Sequence, residues 1–517
     1  MKHLYFFLVV LVAVIVLMPP HAVQAFVATS YHGVLAVPGR AYYVDSVNGN
    51  DSNNGLSPSQ AFQTIARLTS ADAEKHINTW KLADNSDWRE ELDIPRSNMT
   101  IEAYGAGTKP LLDGSDVIPT SSWSLVSGTI NCYQATATII TNPANAWVNV
   151  FENGNFLVRD NPASTSTCNS VSGSYYPSTD FGNGTTSFTL YIHPSDNSNP
   201  ATNGKLYEYT ARQFALYSAG VNTTVNGIWA RRALHNDSAF AMRAGTKLLN
   251  CQATDFSDHA IIVGDNSLID GCTVQNGYWG TNNNAAIVVF DSAGIVNPKG
   301  ATISNTTLSQ NVPAAIAEAT TALMAHTDAS FVFPIITVTN VTATGWTVTN
   351  GFNNTTAATL TNLTSNSEVT GASGMTLTLN ACHITQAALS ALNTSGNTIV
   401  NGGTLTVTGS TSNGIVLLQG GATLTIENGA ILTATSSVNG VYVNHTGSSI
   451  ALNNSTISLS TSGNNVFLTS PDLFTYTGNN NTFIGTNNWW KNGGTLYTSL
   501  SAWQTATGQD ANSTSTP

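Results

Sequence analysis

The stretch Asp237-Ser-Ala-Phe-Ala-Met, with its successors Asp258-His-Ala-Ile-Ile-Val and Asn284-Ala-Ala-Ile-Val-Val, decides the fold of this 517-residue chain. Each segment starts with Asp or Asn and continues as a short apolar strand. The starting residues are 21 and 26 residues apart, and the pattern returns at Asn413 and recurs twice more at a spacing of 26. A β-rich repeat of this length that turns on Gly and Asn is typical of one coil of a stacked solenoid. The sequence therefore predicts an all-β fold, a parallel β-helix with strands stacked about 4.8 Å apart.

The composition limits the class of partner. Charged residues make up 9% of the chain. There are 17 Lys and Arg and 29 Asp and Glu, which gives a net charge of −12. A chain with no basic stripe does not fit nucleic-acid binding. Thr, Asn, Ser and Gly supply most of the polar surface, as expected of an extracellular β-solenoid.

The N-terminus has the pattern of a secretory signal. Lys2 and His3 precede the apolar run from Leu4 to Met18, and the small-residue site Val23-Gln-Ala ends it. This pattern predicts cleavage after Ala25, with an uncleaved anchor as the alternative. No later stretch is apolar enough to span a bilayer. We expect a secreted or extracellular protein, without membrane contact after cleavage, and a monomer.

The segment after the signal resembles a known family. It contains Tyr42-Tyr-Val-Asp, a loop rich in Gly, Asn and Asp over 48–55, and Ser57-Pro followed by Phe62-Gln-Thr-Ile. This order is similar to the N-terminal entry of secreted right-handed parallel β-helix proteins of the pectate-lyase-like superfamily. The resemblance implies a right-handed helix whose first coil is capped by a short helix, here Ile65 to His76. It does not select a reaction, because the sharper motifs of the superfamily's epimerases, calcium-dependent lyases and polygalacturonases are not in the sequence.

The chain divides into five predicted parts. An aromatic, turn-rich region interrupts the coils and reads as a β insertion whose aromatic side chains pack in a core. A short helix and a turn are expected near the C-terminus. The parts are a signal peptide over 1–25, the cap and first coils over 26–117, the insertion over 118–206, the β-helix body over 207–485, and a C-terminal cap over 486–517.

Five cysteines in an exported chain permit disulfides. Cys251 and Cys272 are 21 residues apart, which is one repeat, so they are expected to stack on neighbouring coils as packed thiols. Cys132 and Cys168 bracket a loop-rich region and form the predicted disulfide, and Cys382 is left unpaired.

Ionisable side chains concentrate between residues 231 and 265, whereas the body beyond Val338 has few. Acid, base and cation types coincide there on adjacent coils. The candidate catalytic residues are His235, Asp237, Arg243, Lys247, Asp258 and His259.

Two reactions fit these residue types. In β-elimination, a cation neutralises a uronate carboxylate while Lys, Arg, His or Tyr removes the neighbouring proton. Asp258 or Asp265 could then hold calcium through oxygen ligands. In hydrolysis, two carboxylates flank the bond, and Asp237 and Asp258, one coil apart, suit the shorter spacing.

Each candidate also has a structural interpretation. Asp and Asn at strand starts commonly cap backbone N–H groups. Alternation places Arg243 outside the helix, where it could pair with Asp265. Strict alternation directs His259 into the core, unless a turn before it breaks the parity.

The sequence therefore favours an exported, carbohydrate-active β-helix protein that cleaves an acidic polysaccharide as a lyase or a glycoside hydrolase. For a protein of net negative charge this requires a local basic patch, for which Arg231, Arg232, Arg243 and Lys247 are the candidates. The alternative is a non-catalytic, glycan-binding or adhesive β-solenoid, which the uncharged later coils favour.

Overall fold

The computed structural model describes residues 40–139, 148–160, 163–178, 186–234, 238–278, 285–291, 299–312, 321–327, 335–352, 355–409, 414–436, 439–459, 466–470, 473–485 and 489–516. The predicted signal peptide, His235 and Asp237 lie outside these residues.

Three sheets of fourteen strands run along the described part of the helix, and each complete coil contributes one strand to each sheet, with one further strand per sheet from an end of the chain. All neighbouring strands in these sheets pair in parallel, except the last two strands of the third sheet. The chain is a right-handed parallel β-helix, as predicted.

Sheet A is the first sheet in each coil. Its strands are Tyr42–Val44, Thr79–Ala83, Thr100–Tyr104, Thr224–Asn226, Lys247–Leu249, Leu268–Asp270, Ala301–Ser304, Ile336–Thr339, Ala357–Thr361, Thr376–Asn380, Asn397–Asn401, Thr423–Glu427, Ser449–Asn453 and Thr475–Asn479.

Sheet B follows sheet A after a short corner at which Asn often adopts positive φ, as at Asn250, Asn340 and Asn454. Its strands are Asp87–Trp88, Leu111–Asp113, Trp229–Arg231, Gln252–Phe256, Thr273–Gly277, Thr307–Ser309, Thr342–Thr344, Thr364–Ser365, His383–Gln386, Thr404–Val407, Ile431–Ala434, Thr456–Ser458, Thr482–Ile484 and Thr514–Thr516.

Sheet C closes each coil. Its strands are Leu92–Ile94, Leu216–Ser218, Ser238–Ala241, His259–Val263, Ala285–Asp291, Thr321–Thr327, Val348–Gly351, Glu368–Gly371, Leu392–Thr394, Gly414–Leu418, Asn439–Val443, Val466–Thr469, Trp489–Asn492 and Thr495–Tyr497.

The repeat segments that predicted the fold pair in register in sheet C. Phe240 lies opposite Ile261, and Ile261 lies opposite Ile287. All three side chains are buried in one continuous core that runs through the helix. Because a single coil cannot bury this face alone, the stacking of coils supplies most of the apolar burial.

The two ends of the helix are covered by short helices. Helix α1, Ile65–Lys75, begins at Thr64, whose side chain accepts a hydrogen bond from the N–H of Arg67, and ends at His76 in the left-handed region. The predicted helical cap is therefore confirmed. Near the C-terminus, helix α3, Leu500–Thr507, packs Trp503 against Tyr476 and Tyr497.

The insertion contains two sheets that are largely antiparallel. The four-stranded sheet starts at Ser115–Val117 and ends at Tyr207–Thr210, so the insertion's own pairing extends a few residues beyond the predicted start and end. Its side chains pack in a separate aromatic core, as expected. The other strands of this sheet are Val150–Glu152 and Asn155–Phe156. The five-stranded sheet consists of Ser124–Leu125, Tyr133–Thr138, Val158–Arg159, Ser174–Pro177 and Ser187–His193, beside helix α2, Thr165–Ser170.

The cysteine predictions are confirmed. Cys132 and Cys168 form a disulfide in the insertion, with their Cα atoms 5.5 Å apart. Cys251, Cys272 and Cys382 are buried free thiols. Cys251 and Cys272 immediately precede strands that pair in register, so they stack on neighbouring coils.

Candidate functional site

The structure separates the residues of the predicted cluster. Arg243, Asp258 and His259 border or belong to sheet C, whereas Lys247 begins a strand of sheet A. Lys247 and Arg243 are both exposed, but they are on different sheets of the helix. The structure therefore does not bring Lys247 together with the other candidates.

His259 is on the surface because the alternation of the strand breaks beside it. Ala260 and Ile261 are consecutive and both are packed in the core, as are Ala239 and Phe240 one coil earlier. This change of parity leaves His259 in register with Ser238, with its side chain 14% exposed. The expectation from strict alternation, that the His259 side chain points into the core, is therefore wrong.

Asp258 and His259 form a pair at the corner between sheets B and C. The Asp258 Oδ2 atom lies 3.6 Å from His259 Nε2, and the N–H of Ala285 donates to His259 Nδ1 at 3.3 Å. Burial raises the pKa of Asp258, and His259 offsets part of that rise. Both ring nitrogens thus face partners other than Ser238, so this histidine is not placed to activate the Ser238 hydroxyl as a nucleophile.

Asp258 and Asp265 are not placed to share a calcium ion. They flank opposite ends of the strand His259–Val263, and five strand residues span about 16 Å. Calcium ligands lie about 2.3–2.6 Å from the ion. Asp265 is buried, and its carboxylate accepts hydrogen bonds from the N–H groups of Lys299 and Gly300. Among the described residues, no three His, Cys, Asp or Glu side chains converge as metal ligands.

Arg231 and Arg232 do not form the basic patch that the sequence suggested, because carboxylates neutralise them. Arg231 Nη2 lies 2.7 Å from Asp113 Oδ2, and Arg232 Nη1 lies 2.7 Å from Glu208 Oε2. Although burial acts to raise it, the pKa of Asp113 is lowered by these guanidinium groups. Arg232 also covers the ring of Phe151 at 4.2 Å. This buried network joins the insertion to sheet B and is structural.

A different group of carboxyls stands on the first strand of sheet C. Glu91 and Asp93 flank the inward-facing Leu92, so their side chains share the outer face. The two carboxyl groups are close enough for each to perturb the pKa of the other, and the backbone N–H of Phe214 acts to lower the pKa of Glu91. Partial desolvation, followed by the charge of Asp93, raises the pKa of Glu91 to about 7. Desolvation also raises the pKa of Asp93. The pair therefore shares a proton near neutral pH.

Aromatic and cationic side chains lie directly beside this pair. Tyr217 is in register with Asp93 on the next strand, about 4.8 Å away. Its ring stacks on Phe214 with centroids 5.0 Å apart, and both rings are half-buried. From the coil beyond, Arg243 Nη2 donates to the Tyr217 hydroxyl at 3.0 Å. We name Glu91, Asp93, Phe214, Tyr217 and Arg243 the sheet C patch.

The sheet C patch combines three chemical capacities on one open face. The carboxyl pair can deliver a proton, the phenol oxygen can accept one, and the exposed guanidinium can bind an anion. The Asp258–His259 pair lies further along the same face. It is three strands from Glu91, which corresponds to about 14 Å.

The sequence contained a signal for the carboxyl pair. Residues 84–96 include seven charged side chains, a higher density than that of the stretch chosen as the cluster. Within it, Glu91-Leu-Asp93 has the alternation that places two carboxyls on the same face of a strand. What the sequence could not show is that Tyr217, more than a hundred residues later, is the next neighbour in the sheet.

Comparisons with known proteins do not assign the chain to a family. No family model matches it, and no curated protein matches it. A solved glycoside hydrolase is 12% identical, with 88% of this chain and 96% of that chain covered and a TM-score of 0.43. The lacto-N-biosidase of family GH136 from Eubacterium ramulus is 9% identical, with coverages of 92% and 67% and a TM-score of 0.32. The tailspike of Acinetobacter baumannii bacteriophage AP22, solved with a capsular saccharide, is 10% identical, with coverages of 83% and 76% and a TM-score of 0.29. At these values the likeness carries no conclusion about activity.

In the described part of the chain, none of the helices has the length and apolar character needed to cross a membrane.

Proposed function

We propose that the protein is an exported polysaccharide lyase that cleaves uronate-containing chains at the sheet C patch. The observation that carries the proposal is the proton-sharing pair Glu91 and Asp93 beside the Tyr217–Arg243 hydrogen bond. Acid, base and cation are thereby adjacent on one exposed face, which is what β-elimination requires.

Each group has a defined role in this reaction. Arg243 binds the uronate carboxylate, which makes the proton on the neighbouring carbon more acidic. Removal of that proton is assigned to the Tyr217 side chain, whose oxygen accepts a hydrogen bond from Arg243 Nη2 at 3.0 Å. The electron pair forms the new carbon–carbon double bond, the bond from carbon to the glycosidic oxygen breaks, and the leaving oxygen takes the proton held by Glu91 and Asp93. The proton on Tyr217 then returns to the carboxyl pair one strand away.

The same geometry argues against hydrolysis by these carboxyls. In glycoside hydrolases the two carboxyl groups flank the scissile bond and are about 5–5.5 Å or 6.5–9.5 Å apart. Glu91 and Asp93 project from the same face of one strand, and each carboxyl perturbs the pKa of the other, so they are not arranged as two groups on opposite sides of a bond. They act as one acid rather than as an acid with an opposed nucleophile.

Two features support export. The first 25 residues have the pattern of a cleaved signal. The Cys132–Cys168 disulfide suits an oxidising compartment outside the cytoplasm.

A non-catalytic glycan-binding solenoid is the second candidate. It is favoured by the outer faces of sheets A and B in the later coils, where Thr recurs from strand to strand, as in Thr337, Thr359 and Thr378 of sheet A and Thr385, Thr406 and Thr433 of sheet B. Such faces offer hydroxyl groups and almost no charge.

A substrate panel separates these functions. The purified protein is incubated with pectate, alginate, glycosaminoglycans and a neutral glucan, and both ultraviolet-absorbing unsaturated ends and new reducing ends are measured. We expect unsaturated ends from at least one uronate polymer and none from the glucan. Arg243→Gln should raise KM for that polymer. New reducing ends without unsaturation would indicate hydrolysis, and binding without cleavage would support the second candidate.

A further inference from the structure

The outer face of sheet A has a regular array of hydroxyl side chains in four successive coils. The four described strands of this sheet between Ala301 and Asn380 contain no charged and no aromatic residue. Two rows of side chains cross these strands in register, and they consist of Thr302, Thr337, Thr359 and Thr378 in one row and Ser304, Thr339 and Thr361 in the other. The rows together form a two-dimensional array, which we name the sheet A array.

The array is a property of this face and not of every face of the helix. Outer positions of sheet C in the same coils are occupied by unlike residues, namely Met324, Gly351, Thr370 and Asn393. Sheet C also has a register shift in these coils, whereas sheet A pairs through them without one. The preference of Thr for β-strands acts on both sheets, so it does not by itself explain the array.

The hydroxyls of the row from Thr302 to Thr378 are accessible and held in place. All four side chains are partly exposed, and none makes a side-chain hydrogen bond within the described part of the chain. In the other row, the Ser304 hydroxyl donates to Asp270 Oδ1 at 2.7 Å, and the Thr361 hydroxyl accepts from Asn380 Nδ2 at 3.4 Å. Because β-branched side chains have a restricted χ1, the hydroxyls keep their spacing before anything binds to them.

The spacing of the array is close to that of ordered water. Stacked strands place the hydroxyls of one row about 4.8 Å apart, and alternate residues of one strand are about 6.6 Å apart. Tetrahedral hydrogen bonding of water at about 2.75 Å places second neighbours about 4.5 Å apart and gives a perpendicular repeat of about 7.3 Å. Over the three steps of the row, the mismatch adds up to about 0.9 Å, which is less than half the length of a hydrogen bond.

The chemistry of the four strands favours a water lattice over a glycan. Sugar rings bind to aromatic faces and uronates to cations, and these strands supply neither. A hydroxyl both donates and accepts hydrogen bonds, as each molecule of a water lattice does. We propose that the sheet A array binds the surface of an ice crystal. The inference does not rest on the lyase proposal, because the array and the sheet C patch are on different sheets.

The test measures the fraction of the protein that slowly growing ice takes up from solution. It also measures the gap between the melting and freezing temperatures of single ice crystals. The parent protein should be enriched in the ice relative to an unrelated protein of similar size, and it should open such a gap. Thr337→Lys with Thr359→Lys introduces two long charged side chains at the centre of the array. This variant should be taken up no more than the unrelated protein.

The matched control is Thr385→Lys with Thr433→Lys, which makes the same change on sheet B. There the neighbouring row is interrupted by His383 and Ile431, so this variant should be taken up as the parent is. Denaturant midpoints show whether each variant folds as the parent does. If Lys lowers the midpoint, Gln replaces it in both variants.

Three outcomes would overturn the inference. They are the absence of uptake by the parent protein, equal uptake of the parent and the sheet A variant, and equal losses in the sheet A and sheet B variants. If the parent is not taken up by ice but binds a polymer of the substrate panel, and the sheet A variant does not, the array would bind a glycan instead. Cleavage at the sheet C patch is measured separately and is not affected by any of these results.

Discussion

At the scale of residues, two carboxyl groups of sheet C, Glu91 and Glu368, make no salt bridge among the described residues. Glu91 and Glu368 are both partly removed from water, and in both the pKa is raised to about 7. The ion-paired Asp113 behaves in the opposite way, because its guanidinium neighbours lower its pKa in spite of its burial. Protonatable carboxyls near neutral pH are suited to donating protons, and ion-paired carboxyls are suited to holding the fold.

The raised pKa of Glu91 predicts the pH dependence of cleavage. The pair must hold a proton to protonate the leaving oxygen, so the acid-dependent rate should fall as pH rises through about 7. In Asp93→Asn the negative charge that helps to raise the Glu91 pKa is absent, so this fall should move to lower pH. The measurement is kcat/KM between pH 5 and 9. A fall at the same pH in both proteins would contradict the role of the pair.

The raised pKa of Glu368 predicts a pH-dependent stability. Its folded-state pKa is above the unfolded value near 4.3, so its contribution is fully present below about pH 4.3 and is lost as pH rises through about 7. Glu368→Gln should therefore raise the free energy of unfolding relative to the parent at pH 8, by at most roughly 3 kcal/mol, and should give no such gain at pH 4. Denaturant midpoints at the two pH values measure this, and an equal change at both would contradict it.

At the scale of elements, the β insertion is joined to sheet B through buried charges. Arg232 lies between Glu208 of the insertion and Asp255 of sheet B, and it is 2% exposed. Sequence alone suggested that Arg232 was part of a basic, substrate-facing patch. The sequence could not show that Arg232 is buried in an ion pair, because its partner Glu208 lies on a strand that pairs antiparallel within the insertion.

Removal of the Arg232 side chain should lower the free energy of unfolding. Arg232→Ala leaves the Glu208 carboxylate with one fewer buried partner, and breaking a buried pair typically costs about 3–5 kcal/mol. The control is Lys81→Ala, which removes a partly exposed pair with Glu102 and should cost less than about 1 kcal/mol. Chemical unfolding of both variants checks this. Similar losses would mean that the buried network does not dominate the attachment.

The arrangement of the strands determines how much of the site could be predicted from the sequence. The strand containing Asp258 and His259 was found from the repeat, and so was the outward position of Arg243. The sequence did not predict that Lys247 lies away from Arg243. The two residues are only four positions apart, but the chain turns between them from sheet C to sheet A. Tyr217 and Glu91 were missed, since strands become neighbours in this fold across an insertion of about a hundred residues.

The placement of Arg243 and Lys247 on different sheets can be tested by substitution. Arg243→Gln should reduce cleavage of a uronate polymer strongly, whereas Lys247→Gln on sheet A should leave it unchanged. Steady-state kinetics with one polymer measure both. Equal losses would place Lys247 in the site, as its position in the sequence suggested.

At the scale of the whole molecule, the fold was predictable and the reaction was not. The spacing between Cys251 and Cys272 equals one coil, and they stack as expected. The repeat places strands reliably because each coil must bury its inner face against the next. The outer faces are not constrained in this way, so their chemistry depends on which distant strands become neighbours.

Thiol titration tests the coil assignment of the cysteines. Denatured, unreduced protein should react at three thiols, those of Cys251, Cys272 and Cys382, and reduction should add two more. A single reactive thiol before reduction would mean that Cys251 and Cys272 are also oxidised.

The central claim, that sheet C carries a lyase site built on Tyr217, is tested most directly by the initial rate at which unsaturated ends form from a uronate polymer. The rate is compared among the parent protein, Tyr217→Phe, and Tyr442→Phe, which removes a half-buried hydroxyl further along the same face. The account predicts a loss of about 10²–10⁴-fold for Tyr217→Phe, as expected when a general base is removed, and no loss for Tyr442→Phe. Formation of unsaturated ends at the parent rate in Tyr217→Phe would contradict it.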